Sequence, residues 1–198
     1  NRADFVACHN PSYVTKGFKM VQDVKPGGVY VINCQWTAEE LEHHLDAASK
    51  RYIAQNNIQL YTINAIDLAI QVGMGKRTNT ILQSAFFSLA KVMPEEQAIG
   101  YMKEAAKKSY LKKGMDVVEK NWNAIDDGAT AYKKIDVPES WATAADEPDT
   151  RVLKGKPELV KQVKDILFPI GKMDGDSLPV SAFEAHVDGQ FEVGASAY

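Results

Sequence analysis

The sequence predicts an α/β fold with a Rossmann-like parallel sheet, flanking helices, a helical second half and an extended C-terminal connector. Three observations carry this expectation. Short apolar runs, DFVACHN (4–10), VYVINC (29–34) and QLYTINA (59–65), alternate with helical patterns, and no hairpin signal joins them. VYVINC is β-branched, aromatic and almost continuously apolar, which suits a parallel strand covered on both faces. Beyond residue 137 lie five of the eight prolines, so the chain leaves its core there for a surface-hugging path.

Taken in order, DFVACHN closes on Asn10-Pro11, as a buried strand ending in a turn does. Phe18, Val21 and Val24 stand at helical spacing, and VKPGG (24–28) reads as a turn into the second strand. Thr37 with Glu40 forms a capping box ahead of AEELEHHLDAASKRYIAQNN, expected as one helix with Leu41, His44, Leu45, Ala48 and Tyr52 inward. The third strand follows, then the short helix IDLAIQVG ended by Gly73. Parallel strands joined this way take right-handed crossovers.

The second half is helical. Ile81, Leu82, Ala85, Phe86, Leu89 and Ala90 trace one face, and Pro94 starts another helix with Glu95 and Glu96 in its first turn. Gly114 breaks it, and Val118, Trp122, Ile125 and Ala129 describe a third. The expected organisation is therefore an α/β unit over 1–133 and a connector over 134–198, with one helix around Pro157 to Leu167.

Composition excludes several classes. A formal charge of −3 leaves no basic footprint for nucleic acid, and no run of eighteen apolar residues offers a membrane span. No signal segment opens the chain, and the missing initiator Met leads us to expect a piece of something longer. Cys8 and Cys34 show no ligand spacing and are expected as buried free thiols in a reducing cytoplasm. His43 and His44 lack a metal-binding partner at helical spacing, and His44 is expected semi-buried on the apolar stripe. His9 ends a strand where open α/β sheets place ligands, but no Ser or Cys nucleophile stands with it, so no catalytic residue and no metal site are assigned. Gln35 and Asn64 end the other two strands and would share its rim.

The stretch GMGKRTNT (73–80) carries the strongest local signal. One reading is structural: Gly73 caps one helix, and Thr80 with Gln83 boxes the next. That leaves Lys76, Arg77 and Asn79 crowded at a helix N-terminus, where the macrodipole disfavours cations. An anion bound there would offset the conflict, since free N–H groups and a guanidinium suit phosphate and Gly75 permits close approach. The pattern is neither a Walker loop nor GxGxxG.

ADFVACHNPSYV, NCQWTAEELEHHL, YTINA, GMGKRTNTILQSAFF and YMKEAAKKSYLKKG together closely resemble pyruvate:ferredoxin (flavodoxin) oxidoreductase, in the later part of its domain III, the gamma-type domain. The tail from VPESWA to LPVSAF resembles the connector toward the ferredoxin-like domain. The resemblance implies a cytoplasmic, usually homodimeric enzyme that converts pyruvate and coenzyme A to acetyl-CoA and carbon dioxide while reducing ferredoxin or flavodoxin. It implies thiamine diphosphate, Mg2+ and [4Fe–4S] clusters held by other domains, and no cofactor here, since a cubane needs four thiolates and this chain has two cysteines. It also implies coenzyme A contacts at Arg77 and Asn79, and less specifically at Lys76. The family's glycine-rich first strand-turn-helix and a lysine-bearing loop have no counterpart before Asn1, so we expect a partial sheet, inactive alone, with an open edge that invites pairing. A purely architectural packing module is the alternative.

Overall fold

The computed structural model describes residues 1–148 and 150–198. A four-stranded sheet in the order β1-β2-β3-β4 forms its centre: β1 (Ala3–Cys8), β2 (Val24–Asn33), β3 (Gln59–Ile63) and β4 (Lys133–Lys134). The first three run parallel, with Cys8 beside Ile32 and Asn33 beside Ile63, as the alternation of strand and helix predicts. The two-residue β4 is antiparallel to β3, pairing Thr62 with Lys133 and Tyr61 with Lys134. Nothing in KK signals a strand; position beside β3 makes it one.

Successive side chains of β2 alternate between faces. Tyr30 and Ile32 join Cys8, Leu41, Ile53 and Leu60 in one core, while Val31 joins Ile63, Ala69, Ile81 and Ala85 in another. Between β1 and β2 come α1 (Ser12–Thr15) and a 3-10 turn over Met20–Asp23, shorter than the helix expected around Phe18 to Val24. The first core is covered by α2 (Ala38–His44) and α3 (Ala47–Gln55). The second is covered by α4 (Ala65–Gln71), α5 (Asn79–Ala90) and α7 (Met115–Gly128). Outside them α6 (Glu95–Tyr110) builds a smaller cluster from Met102, Ala106 and Ile125.

Three expectations change here. The single helix after Thr37 is two, because Leu45 is extended at φ −77, ψ 131 and the Asp46 carboxylate accepts from Ser49 N at 2.7 Å, capping a new helix. The break swings His44 out to solvent, stacked on Trp36 with ring centroids 4.0 Å apart, rather than inward. VKPGG is not a free turn but the start of β2: Val24 pairs with Ala3, and a bulge lets Val29 pair with Phe5. Pro26 is tolerated at such a bulge, and Gly28 is required, since a Cβ there would lie 2.9 Å from Asp4 O.

The segment after β4 begins as a strap. Trp141 is buried against the first core, its Nε1 donating to Glu42 Oε1 at 3.1 Å, and Arg51 holds Asp146 at 2.9 Å. Beyond it α8 (Pro157–Gln162) runs through a π turn at Val163–Leu167 into α9 (Phe168–Gly171), so the expected helix continues four residues past Leu167.

Candidate functional site: the loop between α4 and α5

Gly73 ends α4 in the left-handed region at φ 76, and Met74 N reaches back to Ala69 O at 2.7 Å, closing the helix as a glycine cap does. Met74 is buried and anchors the loop. Gly75, at φ 64, has nothing within 4 Å of where a Cβ would sit, so the backbone lies open on that side. Lys76, Arg77 and Asn79 are all exposed. The Arg77 backbone N–H and its Nε both donate to Met74 O, at 3.3 and 3.1 Å, which tethers the base of the guanidinium. Among the described residues neither Lys76 nor Arg77 forms an ion pair.

The cap at the start of α5 differs from expectation. The helix begins at Asn79, Thr78 occupies the N-cap, and no side chain bonds the first turn. Thr80 lies inside the helix, so the Thr80–Gln83 box does not form. Its absence leaves the first-turn N–H groups without a side-chain acceptor, next to two cations and opposed by no carboxylate of the loop. Such a helix end attracts anions. A further cation stands here that the sequence did not bring forward: the Lys120 side chain, from α7, passes 3.3 Å from the Cβ position of Gly73. In the sequence Lys120 lies two residues from both Val118 and Trp122, off the apolar face of that helix, and nothing there points to a partner 47 residues away.

The strand-end rim exists but is occupied by structural bonds. Asn33, buried at 3% exposure, donates from Nδ2 to His9 O at 3.0 Å and accepts from Ala65 N at 3.1 Å. Asn64 caps α4 through Asp67 N at 3.1 Å, and Gln35 donates to Asp67 Oδ1 at 2.6 Å. His9 is exposed and contributes its carbonyl rather than its imidazole. The rim stands at the start of α4 and the cationic loop at its end, about 10 Å apart at 1.5 Å per residue. His9 and Asn64 therefore do not join Arg77. Cys8 and Cys34 are free and buried, and burial raises both thiol pKa values, so neither is poised as a nucleophile. Among the described residues no group of three His, Cys, Asp or Glu side chains could hold a metal, and no helix is long and apolar enough to cross a membrane.

At the level of fold, this is an α/β domain like that of a solved pyruvate oxidoreductase subunit, PORC of Thermotoga maritima. The two superpose with a TM-score of 0.53 at 16% identity, over 67% of this chain and 65% of that one. The family model described as pyruvate ferredoxin/flavodoxin oxidoreductase matches residues 1–131, and a second, described as a domain of unknown function, matches 145–198. The chain belongs to the pyruvate ferredoxin/flavodoxin oxidoreductase family. It is 42% identical to the pyruvate-flavodoxin oxidoreductase of Enterobacter agglomerans and 41% identical to the pyruvate:ferredoxin oxidoreductase of Moorella thermoacetica, across all of its own length in both. It spans only 16% of the length of either relative.

Proposed function

We propose that the chain serves as the coenzyme A-binding part of a pyruvate:ferredoxin or pyruvate:flavodoxin oxidoreductase and is inactive alone. The observation that carries this reading is the uncapped N-terminus of α5, flanked by exposed Lys76, Arg77 and Asn79 with Lys120 alongside. Cations and free N–H groups are what the coenzyme's phosphates need, and holding them fixes where the thiol can reach. The parent enzyme would oxidise pyruvate to acetyl-CoA and carbon dioxide as a cytoplasmic homodimer. Its thiamine diphosphate, Mg2+ and [4Fe–4S] clusters would sit on other domains of the polypeptide, as would the contacts with ferredoxin or flavodoxin. In that arrangement residues 1–133 form the gamma-type unit, and 134–198 lead toward the ferredoxin-like domain.

The test is Arg77→Ala in the full-length enzyme. KM for coenzyme A is expected to rise about tenfold, the loss of one charge-assisted contact, with kcat nearly unchanged. One observation favours a second reading, an architectural module: Arg77 Nε is already engaged by Met74 O. An unchanged KM together with loosened domain packing would select that alternative.

A further inference from the structure

The sequence contains three Asp-Gly dipeptides, Asp127-Gly128, Asp174-Gly175 and Asp188-Gly189. Aspartate followed by glycine is prone to a reaction of the chain with itself. The glycine nitrogen, unshielded by a Cβ, attacks the neighbouring aspartate Cγ and closes a five-membered succinimide. As the N–C bond forms, one carboxyl oxygen departs as water, taking the carboxyl proton and the amide proton. A second water then opens the ring. Attack at Cγ restores aspartate, whereas attack at the main-chain carbonyl leaves isoaspartate, with the backbone routed through Cβ and Cγ. One water leaves and one enters, so no oxidant or reductant takes part.

The fold treats the three sites differently. Gly128 lies inside α7, where its N–H belongs to the helix ladder, and Ile81 O stands 2.6 Å from its Cβ position. Closing the ring there would unwind α7 against a packed neighbour. Asp174 is held on every side: Lys19 pairs with its carboxylate, its N–H donates to Pro169 O at 2.9 Å, and its carbonyl accepts from Ser177 N at 3.1 Å. The hydrogen bond from Lys19 also keeps that carboxyl ionised, the form least able to release an oxygen as water.

Asp188 has neither restraint. It and Gly189 are exposed, nothing lies within 4 Å of the Gly189 Cβ position, and among the described residues Asp188 forms no ion pair. Its Oδ1 accepts from Gln190 N at 3.0 Å, which draws electron density from Cγ and stabilises charge building on oxygen during attack. The bond that must open is Gly189 N–H to His186 O, at 2.9 Å, a single turn at the surface.

We infer that Asp188-Gly189 is a self-modification site, at which Asp188 converts to isoaspartate while Asp127 and Asp174 stay as they are. The added main-chain carbon falls inside the network that fastens the tail to α8. His186 Nδ1 donates to Gln190 O at 3.0 Å, and Glu192 N donates to Oε1 of the buried Gln162 at 3.0 Å. Lengthening the chain between residues 188 and 189 pulls both bonds out of register, so the converted form loosens the segment from Val180 onward.

The test incubates the full-length polypeptide in warm, mildly acidic buffer and counts isoaspartate at each site by peptide mapping. Asp188 is expected to convert about tenfold or more faster than Asp127 or Asp174. In denaturing urea the three rates should converge, because folding rather than local sequence sets their order. Lys19→Ala should raise conversion at Asp174 and leave Asp188 unchanged. In the converted fraction the Glu192 N–H should exchange with solvent about tenfold faster. Conversion of Asp127 or Asp174 in the folded protein as fast as that of Asp188, or no isoaspartate at Asp188 while the urea sample converts, would overturn the inference. Unchanged exchange at Glu192 after conversion would overturn its consequence for the tail.

Discussion

Asn33 shows how one side chain can hold two elements to the sheet. Its amide joins the end of β1, through His9 O, to the start of α4, through Ala65 N. Leucine at this position would fill the volume and leave a buried donor and a buried acceptor unpaired. Asn33→Leu should therefore lower unfolding stability by about 2–3 kcal/mol, read from urea denaturation. Sequence reasoning named the strand that ends here and passed over the asparagine, because its value depends on partners 24 and 32 residues away. The placement of Arg77 at a helix start was legible for the opposite reason: a cation's conflict with the helix dipole is local. Lys120 was not, since only the packing of α7 against the loop reveals it. Asp174 adds a pH-sensitive pair. A hydrogen bond from Lys19 holds its carboxyl below the ordinary carboxylate value of 3.8. A depressed pKa contributes stability that is complete above the unfolded value and is lost as pH falls through the folded one. Asp174→Asn should thus lower the melting temperature slightly at pH 7, and the difference should shrink as pH falls below the ordinary carboxylate value of 3.8.

Elements were read most surely where period and punctuation agree. The helix over Glu95–Tyr110 starts after a proline, carries acid in its first turn and base in its last, and ends before Gly114. The α2–α3 break was missed because LDAAS continues a helical apolar pattern. Nothing local decides whether Asp46 points to solvent or caps a new turn; burial of Leu45 decides it. Asp46→Ala should cost about 1 kcal/mol by losing the bond to Ser49 N, measurable as a lower denaturation midpoint. Gly128 is a tighter constraint than its place in a helical run suggested. A Cβ there would sit 2.6 Å from Ile81 O and 2.9 Å from Ile81 Cα, because α5 and α7 approach backbone to backbone. Gly128→Ala, normally favourable in a helix, should instead destabilise by about 1–3 kcal/mol in the same assay.

Across the whole molecule, the three parallel strands and their covering helices followed from alternation of pattern. The path of the segment after β4 did not, because its anchoring uses single residues. Trp141 is buried at 3% exposure with Lys50 Nζ 5.9 Å above its ring, while Gln55 Nε2 holds Ala142 O at 2.8 Å. Trp141→Ala should cost about 3–5 kcal/mol and expose residues 134–148 to limited proteolysis before the sheet unfolds. The order of the strands has one more consequence. Each follows its predecessor in both sequence and space. A sheet of this kind can be assembled from one edge during synthesis, every new strand meeting a neighbour that has already left the ribosome. The last of them, only two residues long, is then a closing stitch that can be added when the four α-helices before it have emerged.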